Sequence, residues 1–174
     1  MDYKTKPASR RELRMYADEF RKQLSVREDQ PFPVLHALEM IPFLFENCNY
    51  TVLKDHEFPP SVMARTLFWK SGGFTIELRE SVYSGAFHEG NGAYRNHICH
   101  EIAHVILFSK GYLPLSEESF HNNELQAFES VEWQAKALAG ELMMPYDATK
   151  DMTAEGIVKA FGVSIASAIH RLKY

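Results

Sequence analysis

Residues 97–109 read HICHEIAHVILFS, and the interpretation of the whole chain starts from this stretch. Its apolar residues recur at helical spacing, which predicts a core helix. Lys110 falls in the last turn of that helix, and Gly111 follows as a C-terminal cap. Because His100 and His104 are one turn apart, their Cβ atoms stand about 5–6 Å apart on one face. Both imidazoles can therefore reach a single metal ion.

The segment His100-Glu101-Ile102-Ala103-His104 has the ligand spacing of a zinc-dependent peptidase. Two histidines and a third protein ligand fill three corners of a zinc tetrahedron and leave the fourth to water, whose pKa falls to about 7. Glu101 would take a proton from that water and pass it to the leaving amine. In the competing interpretation two core histidines stand four residues apart by chance, but burying unpartnered imidazoles costs on the order of 1–3 kcal/mol each.

The third ligand is expected on a later helix. A further zinc-peptidase pattern places glycine and a third histidine after the second one, but those positions hold Leu107 and Lys110. The remaining common choice is a glutamate on a following helix. Residues 129–145, ESVEWQAKALAGELMMP, supply a helical run that ends at Pro145.

Glu132 is the preferred third ligand in that run. Ala135 and Ala139 follow it on one stripe of small side chains, which allows close approach of two helices. Glu129, one turn earlier, is the alternative ligand, or it could orient a ligating histidine. Glu141 falls on the opposite side of the helix by the 3.6-residue repeat. We expect Zn²⁺, although Mn²⁺ and Fe²⁺ accept the same donors.

Several side chains are candidate donors to the transition state. His97 precedes His100 by one turn and could donate or bind the ion, but a structural histidine is favoured because a fourth protein ligand would close the site to water. Tyr94, Tyr112 and His88 are further candidates, which sequence alone does not rank.

Strands are predicted before the metal helix. Residues 63–69 and 74–83 flank Ser-Gly-Gly at 71–73 as a β-hairpin, and residues 84–94 read as a turn-rich loop. The edge of this hairpin could align a substrate peptide as an added strand.

Helices are predicted at both ends of the chain. Ser9 and Glu12 form a capping box at the start of an amphipathic helix, and a short helix opens at Pro33 and stops at Pro42. Residues 153–172 read as two short helices with the look of a helix-turn-helix. The second of these helices carries mostly apolar or small residues, so a role in packing is favoured over sequence-specific recognition of DNA bases.

Length and composition predict one compact domain. With 174 residues, of which 45% are hydrophobic, the chain can bury a large core. The expected fold is an α+β zincin-like metalloprotease domain, in which a small antiparallel sheet or hairpin packs against several helices and a helix-turn-helix-like hairpin ends the chain. Its parts are an N-terminal helical extension at 1–30, a metallopeptidase core at 31–145 and the C-terminal helical hairpin at 146–174.

The net charge and the cysteines bear on the class of partner and on the cellular compartment. The net charge of −4 argues against nucleic acid as the main ligand, since phosphate binding depends on clustered lysine and arginine. Cys48 and Cys99 cannot build a disulfide framework, and neither a leader peptide nor an apolar run of ~20 residues is visible. A cytoplasmic protein with no membrane partner is expected.

Four features together resemble the ImmA/IrrE family of metallopeptidases: HEIAH at 100–104, Arg95 before it, the block from Glu132 to Leu-Met-Met-Pro at 142–145, and Phe-Gly-Val-Ser at 161–164. The resemblance extends over residues 30–174. It implies an intracellular peptidase that cuts a helix-turn-helix repressor at one site and so switches on a DNA-damage response or a mobile element. By position it assigns the metal ligands to His100, His104 and Glu132, and the catalytic carboxylate to Glu101.

Two positions depart from that family's pattern. Lys136 stands where asparagine is commoner, and Cys99 stands where a small residue is commoner. Both differences affect the expectation about which substrate is cut more than the expectation that a metal is bound. The competing function is a non-catalytic, metal-stabilised regulatory module that binds a repressor or DNA, and a general degradative protease is a second rival.

Overall fold

The computed structural model describes residues 2–69, 72–115 and 125–174. Within these ranges the chain forms eight α-helices and a three-stranded sheet, which confirms the predicted α+β class. Short 3-10 helices lie at Asp55–Glu57 and Ala127–Glu129. In chain order the main elements are α1 (Arg10–Gln23), α2 (Val34–Leu44), β1 (Cys48–Leu53), β2 (Ala64–Phe68), β3 (Phe74–Arg79), α3 (Glu80–His88), α4 (Gly92–Ser109), α5 (Val131–Met143), α6 (Tyr146–Thr149), α7 (Ala154–Phe161) and α8 (Ile165–Arg171).

Helix α4 lies at the centre of the fold. Every residue from Ile98 to Phe108 is buried except His100, which is half-buried. Helices α2, α3 and α5 and strands β2 and β3 pack around it, so its apolar residues face partners on all sides. The helix ends as predicted, because Gly111 adopts the left-handed conformation (φ 80°) that a C-terminal cap requires.

The sheet has the strand order β1-β3-β2 and is mixed, not antiparallel as predicted. Strands β2 and β3 form the expected antiparallel pair, with Phe68 opposite Phe74, while Ser71 of the predicted turn lies outside the described residues. Strand β1 runs parallel to β3, with Cys48 opposite Phe74. Parallel neighbours are joined by long connections that carry no tight-turn signal, so the sequence pattern did not reveal β1.

The segment between β3 and α4 is helical, which corrects two predictions. Residues 80–83 do not continue the strand, and residues 84–94 are not a loop, because α3 spans most of this segment. Val82 and Ala86 stand one helical turn apart and are both buried, so tertiary packing overrides the glycine-rich composition. Gly90, with φ 62°, then separates α3 from α4.

The helix ends follow the predicted capping with one exception. The Ser9 Oγ accepts from the Glu12 N–H at 3.2 Å while the Glu12 Oε2 accepts from the Ser9 N–H at 2.8 Å, which confirms the capping box. Helix α2 runs past Pro42 to Leu44, because proline near the last turn removes one hydrogen bond but keeps a helical φ. The Ser164 side chain caps α8 by accepting a hydrogen bond from the Ser167 N–H.

One hydrophobic core joins the sheet to helices α1–α5, α7 and α8. Leu13 and Phe20 of α1 are part of it, and α1 packs against α5. Cys48 and Cys99 are both free and buried. In the described part of the chain, no helix has the length and apolar character that crossing a bilayer requires.

Candidate metal centre

Three side chains from two helices converge on one point. The Nε2 atoms of His100 and His104, both on α4, are 3.2 Å apart. The Glu132 carboxylate, in the first turn of α5, lies 3.3 Å from the His100 Nε2 and 3.5 Å from the His104 Nε2. A tetrahedral zinc ion with bonds of about 2.0–2.1 Å has ligand atoms about 3.3–3.4 Å apart. The three donors therefore fit a tetrahedral ion and could hold one.

Small residues on α5 allow this approach, as the sequence predicted. Ala135 and Ala139 are buried in the core where α5 packs against α4. The Cys99 Sγ of α4 lies 3.8 Å from the Ala139 carbonyl oxygen of α5, so the backbones of the two helices are close to each other near these residues. Ser130 caps the start of α5 by accepting from the Trp133 N–H at 3.0 Å. Packing and capping together place the first turn of α5 beside the two histidines.

The surroundings of Glu132 favour its charged form. Burial raises the pKa of this carboxyl, but hydrogen bonds from His100 and His104 outweigh burial and hold the pKa of Glu132 well below its usual range. An ionised carboxylate is the form that binds a metal ion.

Glu101 faces this group from α4 and is 7% exposed. Its Oε2 accepts a hydrogen bond of 2.7 Å from the Thr66 Oγ1 on β2. A glutamate that stood between two core histidines only by chance would be expected to face solvent, whereas Glu101 is buried. Sequence reasoning missed Thr66, because a threonine in a strand carries no signal that it contacts a helix 35 residues away.

A cleft of about 420 Å³ opens at these residues. We define the cleft by its lining: α4, the strand β2 with the loop before it, the Glu132 carboxylate, and Tyr3 from the start of the chain. In the described part of the chain, strand β2 is the edge strand of the sheet on this side. An extended peptide could therefore lie along β2 and pass the three convergent ligands.

Of the other predicted site residues, His97 lies at the cleft and Glu129 lies outside the group of candidate ligands. His97 lines the cleft, and burial and then the neighbouring His100 lower its pKa, so that the neutral imidazole is favoured. Glu129 forms an ion pair of 3.1 Å with Lys4 and is not part of the convergent group.

The structure does not bring the remaining predicted donors to the cleft. The Tyr94 ring packs against Gly85 of α3, where an added Cβ would come within 2.4 Å of the ring. Tyr112 is buried, and its hydroxyl lies 3.3 Å from the Tyr16 hydroxyl. His88 is exposed at the end of α3.

Two residues near the metal motif hold the C-terminal helices. Glu141 lies away from the metal group, as its spacing predicted, and binds Arg171 of α8 through both carboxylate oxygens. Arg95 donates hydrogen bonds to the Gly90 and Gly162 carbonyls, and so ties α4 to the turn between α7 and α8. The C-terminal hairpin is thus attached to both helices of the candidate metal centre.

The first residues of the chain also reach the centre, which the sequence did not indicate. The buried Asp2 carboxylate accepts from the Ser130 Oγ at 2.5 Å and from the Glu132 N–H at 3.2 Å. Tyr3 lines the cleft; burial, followed by the charges of Glu132 and Asp2, raises its pKa, so the phenol stays protonated. These contacts join residues about 130 positions apart, and no local pattern encodes them.

Comparison with known proteins finds a family match over the second half of the chain. Residues 88–173 match the family model Peptidase M78, described as the IrrE N-terminal-like domain, and this span holds Glu101 and all three candidate ligands. No curated protein matches the sequence. The fold is similar to that of a Mycobacterium tuberculosis transcriptional regulator, with a TM-score of 0.52 and 13% sequence identity. The match covers 94% of this chain and 46% of that one, so this chain spans less than half of the regulator's length.

Proposed function

We propose, because the chain belongs to the ImmA/IrrE family of metallopeptidases, that it is a zinc-dependent endopeptidase of zincin-like architecture. The observation that carries this proposal is the set of three donor distances among His100, His104 and Glu132, all between 3.2 and 3.5 Å, beside a buried carboxylate. Mn²⁺ or Fe²⁺ would suit the same donors.

A divalent ion in this site would supply Lewis-acid polarisation of the scissile carbonyl and would lower the pKa of a nearby water. Glu101 accepts the proton of the attacking water, whose oxygen bonds to the carbonyl carbon. Glu101 then delivers that proton to the amide nitrogen as the C–N bond breaks. Thr66 orients Glu101 by donating to one carboxylate oxygen, and leaves the other oxygen for the proton transfer.

We infer that the substrate is a specific protein in the cytoplasm, a helix-turn-helix transcriptional repressor whose cleavage operates a stress response or a mobile-element switch. Family membership supports this inference, and the edge strand β2 beside the cleft supports extended binding of the scissile segment. Among the described residues, the cleft is lined by an edge strand with the loop before it and by a helix, and this lining suits an extended peptide.

The substitution Glu101→Gln tests the proposed activity. Wild-type protein, Glu101→Gln and the control Glu155→Gln, an exposed residue of α7, would be loaded with zinc and incubated with DNA-binding proteins from the native host. New protein N-termini would be identified by mass spectrometry. We expect one or a few cleavage sites with the wild type and the control, and none with Glu101→Gln, at equal zinc content.

Other results separate the rival functions. Biological activity that survives in Glu101→Gln, without any cleavage, would favour the non-catalytic regulatory module. Rapid turnover of unfolded casein would favour a general degradative protease. Wild-type protein that binds no divalent metal would refute the proposed function at its first step.

A further inference from the structure

The Tyr3 hydroxyl has no hydrogen-bond partner among the residues that the structure describes. Its oxygen is buried, yet no protein atom in the described structure accepts or donates a hydrogen bond there. The ring is fixed by packing, because it lies 6.3 Å from the Phe108 ring, which in turn lies 6.4 Å from the His104 imidazole. Buried polar groups are nearly always paired, so an unpaired hydroxyl on a residue that lines the cleft is a candidate to bind a ligand there.

Backbone and side-chain contacts hold Tyr3 beside the candidate metal centre. The Tyr3 carbonyl accepts from the Val131 N–H at 3.3 Å, and the Thr5 N–H donates to the Glu129 carbonyl at 2.9 Å. On the other side, Asp2 accepts from the Glu132 N–H at 3.2 Å. The first residues of the chain are therefore attached to the turn that carries the third candidate ligand.

The other polar side chains along the cleft are less suited to act as a buried donor. The Thr66 hydroxyl already donates to the general base. Arg65 forms an ion pair of 2.6 Å with Glu77. Ser61 and His97 are more exposed to water than the Tyr3 hydroxyl, although His97 is partly desolvated, and a hydrogen bond contributes less where water competes for it.

We propose that the Tyr3 hydroxyl is a further catalytic group, which donates a hydrogen bond to the carbonyl oxygen of the scissile peptide as that oxygen becomes an oxyanion. The inference rests on the proposed peptidase function. The phenol is a neutral donor at pH 7, and it keeps its proton throughout the reaction. Tyr3 lies outside the family match at residues 88–173, so it is a feature of this chain's own N-terminal segment.

A transition-state mimic tests this role without a natural substrate. N-phosphoryl-Leu-Trp carries a tetrahedral anionic group, and its affinity for the zinc-loaded full chain would be measured by titration calorimetry. We expect Tyr3→Phe to weaken binding about 10-fold or more. The control Tyr94→Phe should bind like wild type, because Tyr94 packs on α3 outside the cleft.

Zinc content and thermal stability distinguish this role from a structural one. The Tyr3 hydroxyl bonds to no protein atom within residues 2–69, 72–115 and 125–174, so Tyr3→Phe should keep its zinc and unfold at the wild-type temperature or above it. Once a peptide substrate is known, the same variant should lose about 10²–10³ in kcat with little change in KM.

The outcomes separate this inference from the proposed function. Equal affinity of wild type and Tyr3→Phe for the mimic would overturn the role of Tyr3, as would zinc-loaded wild type that does not bind the mimic at all. If His97→Gln weakened binding of the mimic more than Tyr3→Phe does, the hydrogen-bond donor to the oxyanion would be His97 instead. Wild type that takes up no zinc would refute the peptidase function itself, whatever Tyr3 does.

Discussion

We expect the substitution Glu141→Gln to destabilise the fold by about 3–5 kcal/mol, because it breaks a buried ion pair. The Arg171 and Glu141 side chains are only 5% and 3% exposed. Their two hydrogen bonds, of 2.8 and 3.1 Å, join α8 to α5. The Glu141 carboxylate also accepts from the Arg14 Nε at 3.1 Å and from the Tyr146 N–H at 3.2 Å.

The size of the effect follows from what glutamine leaves behind. Its amide has one acceptor oxygen in place of two, and its NH₂ group faces donors, so the Arg171 cation stays buried without a counter-charge. For a domain of this size each kcal/mol lowers the unfolding midpoint by about 2–4 °C, so the total decrease is about 6–20 °C. An ion pair at the surface would contribute at most about 1 kcal/mol.

Urea unfolding followed by circular dichroism measures this loss, with Glu155→Gln as the exposed control. A loss below about 1 kcal/mol would refute the reasoning, since it would show that water reaches the pair. The double variant Glu141→Leu with Arg171→Met adds a second check. It removes both charges, so it should be more stable than Glu141→Gln alone. If the double variant is at least as unstable as the single one, the packing of these side chains, and not their charge, dominates their contribution to the free energy of unfolding.

Three further predictions concern the cleft and the cysteines. Glu132→Ala should lose bound zinc in elemental analysis while Glu129→Ala retains it, and the reverse result would transfer the ligand role to Glu129. Thr66→Val should lower kcat about 10-fold at unchanged zinc content and Thr66→Ser should restore it, because only serine keeps the hydroxyl that orients the general base; equal rates in all three proteins would contradict this. Burial raises the pKa of the Cys99 and Cys48 thiols, so at pH 8 both stay protonated, and mass spectrometry should find iodoacetamide on them only after denaturation.

The convergent ligands could be predicted because their geometry is almost entirely local. The 3.6-residue repeat places His100 and His104 on one face of a helix whatever surrounds it. The stripe of Ala135 and Ala139 likewise indicated that a second helix approaches closely and brings Glu132 with it. The capping box of α1 and the hairpin between β2 and β3 could be predicted for the same reason, since each depends on residues within a few positions of one another.

Other elements were misread because their structure depends on packing partners that are distant in sequence. Residues 80–94 contain three glycines and read as strand and loop, but α3 forms there because Val82 and Ala86 are buried in the core. Strand β1 adds to β3 in parallel, and no short turn connects the two. In both cases burial against a remote element outweighs local propensity.

The sequence by itself determined the chemistry of the candidate site: two imidazoles one helical turn apart, a carboxylate between them in sequence, and a glutamate from a second helix that completes the donor set. Only the tertiary structure decided which other groups meet them. Thr66 reaches Glu101 from the edge strand, and Tyr3 and Asp2 reach the same cleft from the first residues of the chain. Such contacts depend on how the sheet, the helices and the first residues of the chain pack together. The spacing of side chains along the sequence does not predict them.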